Sequence, residues 1–254
     1  MEYLASFSGG KDSAATIILA HEHNEPLNEI IFSEVMYSPE ISGEVPEHIE
    51  FIKKVAFPLF ESWGYKTRVL RAEKTYLDLF FHIVKRSRKP ERIGKKAGFP
   101  MAGKCAINRD CKIKPINDYI GKKNKENLIQ YIGIAADEPK RLKRMGDGKV
   151  SLLAKYGYTE EMAMQKAKEY GLVSPHYKYA SRGGGCWFCP NASIKELRNL
   201  REKHFDLWKE LLRLEREPDI VGNIWNTRSK ISVNEIEEMF YWESQQISIF
   251  DFLE

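Results

Sequence analysis

Six consecutive residues near the start of the chain, Ser8-Gly9-Gly10-Lys11-Asp12-Ser13, combine the groups that bind an anion. The glycines permit a sharp turn and a close approach of the backbone to the anion. Lys11 supplies a positive charge, the serines supply hydroxyl donors, and Asp12 supplies oxygen ligands for magnesium. An apolar run precedes the segment and a helical pattern follows it, so helix amides and the helix dipole favour an anion here. The alternative is an ordinary strand-to-helix turn in which Ser13 caps the helix.

The cysteines form a second group of residues with a chemical signature. They occur as two pairs, of which the second is a Cys-x-x-Cys that follows three glycines: Cys105 and Cys111, and Cys186 and Cys189. Four thiolates in this pattern favour one shared metal centre, and the spacing does not separate zinc from an iron–sulfur cluster. Four thiols without a metal, or a redox dithiol in the second pair, are the alternatives.

Further candidates lie where predicted strands end, because open α/β sheets bind ligands at the carboxyl ends of their strands. Glu34 ends one such strand. Asp137 follows another and is expected to position magnesium together with Asp12. Arg141 and Arg144 come shortly after and have the chemistry to clamp phosphate or a second substrate. An exposed acid at a strand end and a solvated helix face are the alternatives for these positions.

The elements that position these residues alternate between strand and helix. Apolar runs predict strands at residues 3–7, 30–35, 66–70 and 128–134. Helical spacing predicts helices at residues 14–20, 46–63, 76–84 and 112–120. Apolar strands separated by helices predict an α/β fold with an open, mainly parallel sheet covered by helices on both faces.

The pattern changes after residue 138, where helices are predicted at residues 160–170, 193–214 and 232–241 with no strand between them. Ser232 and Glu235 form a capping-box pattern at the start of the last helix. The segment Arg182-Gly183-Gly184-Gly185 is expected to be a flexible connection. These patterns predict an α/β domain at residues 1–145 and a helical C-terminal appendage at residues 146–254. The appendage carries the Cys-x-x-Cys and is expected to pack on the first domain.

Composition and charge narrow the classes of protein. The chain has 254 residues, of which 30% are charged and 43% hydrophobic, as in soluble globular proteins. It has no apolar run of membrane-spanning length and no secretory signal, which favours the cytoplasm and no membrane partner. The net charge is only +4, but cations concentrate in residues 85–114, which are either a solvated loop or a surface for a nucleic acid or nucleotide. These cations are Lys85, Arg86, Arg88, Lys89, Arg92, Lys95, Lys96, Lys104, Arg109, Lys112 and Lys114.

The glycine–lysine segment at residues 8–13 resembles the pyrophosphate loop of the N-type ATP pyrophosphatases, the PP-loop superfamily. Residues 111–116, 133–141 and 158–189 are similar to segments of the phosphoadenosine phosphosulfate (PAPS) reductase-like family within it. The resemblance implies an adenine nucleotide alpha hydrolase-like fold. It also implies that residues 8–13 and Glu34 bind ATP. Lys11, Asp12, Asp137 and Arg141 would then take part in catalysis, with magnesium as cofactor.

Two departures from the reductases bear on the activity. Sulfonucleotide (PAPS or adenylyl-sulfate, APS) reductases carry a nucleophilic cysteine near the C-terminus, whereas no cysteine follows Cys189 here. These reductases also lack an intact lysine-bearing loop, whereas this chain retains Lys11. The resemblance therefore implies adenylation of an acceptor with release of pyrophosphate, for sulfur transfer to a nucleic acid or nucleotide. The alternatives are a sulfonucleotide reductase or binding protein, and a non-catalytic, metal-stapled nucleic-acid-binding protein. Five residues separate Cys105 from Cys111, whereas the four-iron cluster of adenylyl-sulfate reductases uses two adjacent cysteines with a Cys-x-x-Cys, so the type of metal centre stays open.

Overall fold

The computed structural model describes residues 1–100, 105–122, 127–222 and 231–250, the last five without their side chains. The chain forms two compact units, Met1–Glu73 with Asn108–Cys186 and Lys74–Ile107 with Trp187–Glu254. The boundary that the sequence suggests near residue 145 coincides with none of the three junctions between these segments. The difference arises because the second unit takes in a segment inserted between two strands of the first, which an analysis of the chain in linear order does not reveal.

The described residues contain seven strands and eleven α-helices. The strands are β1 (Glu2–Ser6), β2 (Glu29–Glu34), β3 (Lys66–Arg71), β4 (Lys96–Gly98), β5 (Leu128–Tyr131), β6 (Lys149–Val150) and β7 (Ile220–Gly222). The helices are α1 (Lys11–Glu22), α2 (Pro46–Phe51), α3 (Phe57–Ser62), α4 (Tyr76–Phe80), α5 (Lys114–Lys122), α6 (Pro139–Leu142), α7 (Leu152–Lys155), α8 (Glu160–Glu169), α9 (Ile194–Lys203), α10 (Phe205–Glu215) and α11 (Val233–Phe250).

The first unit holds a five-stranded sheet in the order β3-β2-β1-β5-β6, with every neighbouring pair parallel. The chain runs outward from β1 to β3 and then restarts at β5 on the other side of β1. Open parallel sheets bind ligands at the carboxyl ends of the strands where the order reverses in this way. The four predicted strands are confirmed. The fifth, β6, has only two residues and no sequence signal of its own.

Side chains of β2 show that helices cover both faces of this sheet. Ile30 and Phe32 belong to the buried core that also contains α1. On the opposite face, Glu29 accepts a hydrogen bond from the Tyr119 hydroxyl of α5, and Ser33 donates to the carbonyl of Cys111 just before α5. The predicted fold class, a parallel sheet with helices on both faces, is therefore confirmed.

Helix α1 is buried along nearly its whole length. Residues 13–20 are all buried, and the helix packs against α7 and α8 as well as the sheet. A helix that is apolar all round belongs to the interior of a domain. The burial fixes the N-terminus of α1 at the carboxyl end of β1, which is where the glycine–lysine segment lies.

The second unit differs from the sequence-based expectation in two helices. The helix predicted at residues 193–214 is two helices, α9 and α10, because His204 has a non-helical backbone with φ −133° and ψ 55°. The helix predicted at residues 76–84 ends at Phe80, and residues 82–97 then double back as an irregular hairpin. The capping box of Ser232 and Glu235 is present, with both backbone N–H groups bonded to the partner's side chain. No helix within the described residues is long and apolar enough to cross a membrane.

Candidate functional site

Residues 8–13 form a closed turn between β1 and α1. The Ser13 hydroxyl accepts from the Ser8 N–H at 3.1 Å and donates to the Gly10 carbonyl at 2.9 Å. Gly9 has a φ of +74°, which favours glycine. Gly10 is the N-cap residue of α1 and has no side chain to cap the helix, so Ser13 closes the turn instead of capping. The uncapped first turn leaves backbone N–H groups for an anion.

The ammonium group of Lys11 lies between two carboxylates. Its Nζ donates to Asp12 Oδ1 at 2.8 Å and to Glu160 Oε2 at 3.1 Å. Burial lowers the pKa of Lys11, but the two carboxylates outweigh this effect and raise the pKa overall. The pKa of Asp12 is raised overall, because burial and the nearby carboxylates of Glu160 and Glu138 together outweigh the lowering by Lys11. Lys11 is therefore a fixed positive charge at neutral pH, held in place before any ligand arrives.

A buried histidine of α2 fixes the backbone of this turn. His48 Nε2 lies 3.0 Å from the Ser8 carbonyl oxygen, and Nδ1 lies 2.9 Å from the Ser174 hydroxyl. A carbonyl can only accept, so Nε2 carries the hydrogen and Nδ1 accepts from Ser174. Burial lowers the pKa of His48 to about 4, which keeps the ring neutral and preserves this pairing.

Two of the three glycines near the end of the first unit, Gly183 and Gly184, pack tightly against this turn and against His48, so the expectation of a flexible connection is wrong. A Cβ on Gly183 would lie 2.6 Å from Gly10 Cα, and a Cβ on Gly184 would lie 2.2 Å from His48 Nε2. Neither contact leaves room for a side chain. The glycines serve close approach between two backbone segments, and glycine content alone does not distinguish that use from flexibility.

Tyr177 completes the turn from a distant part of the chain. Its hydroxyl oxygen accepts from the Lys11 N–H at 3.1 Å, at the first turn of α1. It lies in a short 3₁₀ turn, Pro175–Lys178, that Ser174 caps through the N–H of His176. Ser174 thus joins the 3₁₀ turn that carries Tyr177 to His48. Sequence analysis found neither His48 nor Tyr177.

These residues surround a polar cavity of about 350 Å³. Its lining combines loop backbone with charged side chains, namely Ser8, Gly10, Lys11, Asp12, Lys112, Glu160, Tyr177, Ser181, Arg182, Gly183, Gly184 and Gly185. Lys112 is held by Glu44, whose buried carboxylate lies 3.1 Å from Lys112 Nζ. The arrangement joins a helix N-terminus, three cationic side chains and two carboxylates, which is a chemistry suited to a polyphosphate and a divalent cation.

The predicted residues at the strand ends do not line this cavity. Glu34 is buried and paired with Arg71 and Lys53 at 2.7 and 3.1 Å, which lower its pKa against the opposing effect of burial. Arg141 is paired with Glu138 at 2.6 Å and is half exposed. Asp137 is closest to the site, since it accepts from the N–H of Glu160 at 3.1 Å. The predicted roles of Glu34 and Arg141 in nucleotide binding and catalysis remain predictions.

The four cysteines divide equally between the units. Cys111 and Cys186 belong to the first, and Cys105 and Cys189 to the second. None of them forms a disulfide. Among the described residues, no three His, Cys, Asp or Glu side chains are grouped as metal ligands. The shared metal centre therefore stays a prediction. The full burial of Cys111 disfavours a role as the nucleophile of a reductase.

The basic segment separates into two parts in the structure. Arg109, Lys112 and Lys114 belong to the first unit and each contacts an acidic side chain: Asp110, Glu44 and Asp118, respectively. Lys104 lies outside the described residues. The remaining cations lie on residues 82–97, which we term the basic hairpin. Bonds between Val84 N and Lys95 O and between Ala97 N and His82 O close it.

Comparisons with known proteins find a similar solved structure but no matching family. A scan against protein-family models and a search of curated proteins find no match. Among solved structures, the chain is similar to the U34-tRNA thiolase NcsA from Methanococcus maripaludis with its 4Fe-4S cluster. The sequence identity is 15%, the match covers 94% of this chain and 71% of that chain, and the TM-score is 0.42. A likeness of this extent transfers neither activity nor ligand to this chain.

Proposed function

We propose that the chain is a PP-loop ATP pyrophosphatase that adenylates an acceptor and releases pyrophosphate. The observation that carries the proposal is the uncapped first turn of α1, which opens onto a polar cavity at the point where the strand order of the sheet reverses. The backbone N–H groups and Lys11 converge there, as a site for the phosphates of ATP requires.

In this proposal, the turn at residues 8–13 holds the β- and γ-phosphates of ATP. An acceptor oxygen attacks the α-phosphorus, a new P–O bond forms, and the bond from the α-phosphorus to the bridging oxygen breaks. Negative charge develops on the departing pyrophosphate, next to the Lys11 ammonium. Because Asp12 and Glu160 already hold that ammonium in place, little reorganisation is needed when the charge appears.

Magnesium fits the carboxylates of the cavity. In nucleotide sites this ion is held by one or two carboxylates together with the phosphates. Asp12 and Glu160 both line the cavity, and Asp137 orients the backbone of Glu160. Asp12 and Glu160 would hold the ion, which when bound would supply positive charge that offsets the negative charge of the phosphates.

The experiment that tests the proposal is product analysis with α- and γ-labelled ATP. We expect AMP, free or attached to an acceptor, and pyrophosphate, whereas ADP as the main product would overturn it. Lys11→Ala should lower turnover by ~10²–10³-fold, because it removes one preorganised charge from the leaving group. Lys166→Ala is the matched control, since Lys166 is paired with Glu22 and Glu169 away from the cavity. Equal loss in the two variants would contradict the role of Lys11.

We also propose that the acceptor is a nucleic acid, docked on the basic hairpin and modified by sulfur transfer after adenylation. Residues 85–95 carry a single acid, Glu91, among six mostly exposed cations that form no ion pair within the described part of the chain. These cations are Lys85, Arg86, Arg88, Lys89, Arg92 and Lys95. Phosphate backbones bind such surfaces by releasing counterions.

Salt dependence tests this docking surface. In the double variant Arg86→Ala/Arg88→Ala, the slope of log K against log salt should fall by about 0.7–0.9 for each phosphate that the protein no longer neutralises, measured with an RNA hairpin and a DNA duplex. The double variant Lys54→Ala/Lys209→Ala removes two exposed lysines elsewhere and should leave the slope unchanged. The proposal fails if both variants bind like the wild type.

A further inference from the structure

The hydroxyl of Tyr177 occupies a position that an anion would be expected to contact. Its oxygen accepts from the N–H of Lys11, which belongs to the uncapped first turn of α1. Ordinarily the N–H groups of that turn are satisfied by a capping side chain, by water or by a ligand. Here a tyrosine 166 residues away along the chain supplies the partner, and its side chain also lines the cavity.

A phenol oxygen that accepts one hydrogen bond still has its own hydrogen to donate. Within the described residues, the Lys11 N–H is the only group hydrogen-bonded to Tyr177 Oη. The hydrogen of Tyr177 is therefore available to a ligand in the cavity. Burial raises the pKa of Tyr177, and the hydroxyl stays a neutral donor that does not repel a phosphate.

The position of this hydroxyl is fixed by the packing around it. A Cβ on Gly183 would lie 2.8 Å from Tyr177 Oη, so only glycine lets the hydroxyl reach the helix. On the other side, Ser174 caps the turn that carries Tyr177 and also bonds His48, which holds the Ser8 carbonyl. These bonds hold the Tyr177 hydroxyl in a fixed position relative to the turn at residues 8–13.

We propose that Tyr177 is a phosphate-binding residue of the nucleotide site. It accepts from the backbone of Lys11 and donates to an oxygen of the polyphosphate chain. It thus extends the reach of the α1 N-terminus by one hydrogen bond. This inference rests on the proposed function, because it assigns a ligand contact within the same cavity.

The test is Tyr177→Phe, which keeps the ring and removes only the hydroxyl. Hydrogen bonds to charged groups contribute about 1.5–3 kcal/mol, so we expect ATP and pyrophosphate to bind about 10- to 100-fold more weakly. Adenosine affinity should be unchanged. Tyr170→Phe is the matched control. It also removes a hydrogen-bonded hydroxyl, the one with which Tyr170 donates to Glu22, but at the C-terminal end of α8. Calorimetry and thermal unfolding of all three proteins give the affinities and the stabilities.

A second measurement uses the wild-type chain and does not depend on the folding of a variant. ATP should protect Tyr177 from nitration by tetranitromethane, as read by peptide mass spectrometry, while Tyr241, which is 50% exposed, should remain reactive. If wild-type protein binds neither ATP nor pyrophosphate, the proposed function and this inference fail together. If it binds ATP, but Tyr177→Phe binds ATP and pyrophosphate equally tightly, only the inference on Tyr177 is overturned.

Discussion

The substitution Gly184→Ala tests whether the glycine segment positions the turn at residues 8–13. The added Cβ would lie 2.2 Å from His48 Nε2, whereas ordinary contact begins near 3.4 Å. Either His48 or the glycine segment must therefore move by about 1.2 Å. His48 Nε2 is bonded to the Ser8 carbonyl at 3.0 Å, so a displaced ring loses that bond or carries the turn with it.

The clash and the lost hydrogen bond each lower the free energy of unfolding by an amount that can be approximated. Overpacking of a close contact costs about 1–3 kcal/mol, and loss of a buried hydrogen bond contributes a similar amount. We expect the free energy of unfolding, from urea titration, to fall by at least about 2 kcal/mol, the sum of the two lower bounds. Because a misplacement of about 1 Å can cost 10²-fold in rate, kcat/KM for ATP should fall by about two orders of magnitude.

Two comparisons separate this mechanism from a general effect of the substitution. Gly146→Ala is the control, since a Cβ there meets no atom within 4 Å, and its stability should be unchanged or slightly higher. In a His48→Ala background the clashing ring is gone, so Gly184→Ala should then cost at least 1 kcal/mol less than in the wild type. An equal cost in the two backgrounds would refute the reasoning.

Two further predictions concern pH and metal. Because the pKa of His48 is about 4 in the folded chain and about 6.5 unfolded, its contribution to stability is complete above pH 6.5. That contribution is lost as the pH falls from 6.5 to 4, by roughly 3 kcal/mol, and a His48→Gln variant measured by urea titration should lack this slope. If the four cysteines share a metal, anaerobically purified protein should contain zinc or iron, and Cys186→Ser should release it. Metal-free protein with four titratable thiols would contradict that prediction.

The sequence predicts most of the first unit because its signals are local. The Ser8–Ser13 segment shows glycines, a lysine and a helix start within six residues, and the apolar strands around it allow few folds other than a parallel sheet. The capping box of Ser232 and Glu235 is likewise a local pattern, four residues long, and the structure contains it.

The rest of the site depends on contacts between distant residues. His48 lies in an amphipathic pattern where a histidine gives no special signal, and its partners are Ser8 and Ser174, 40 and 126 residues away. Gly184 lies in a run of three glycines that resembles a linker, and only the fold shows that it packs against His48. Glu34 ends a strand, as the sequence indicates, but its pairing with Arg71, 37 residues away, could be seen only in the fold.

The balance of charge in the cavity bears on how ATP would bind. Lys11, Lys112 and Arg182 contribute three positive charges to the lining, and Asp12 and Glu160 contribute two negative ones. Two carboxylates beside a polyphosphate raise the electrostatic free energy of binding unless a cation lies between them. The same carboxylates fix the Lys11 ammonium before ATP arrives, which reduces the reorganisation needed during the reaction. Since the two carboxylates offset most of the positive charge that attracts ATP, this lining suits the magnesium complex of ATP better than bare ATP, and the same carboxylates account for both the preorganised lysine and the fit of a divalent cation.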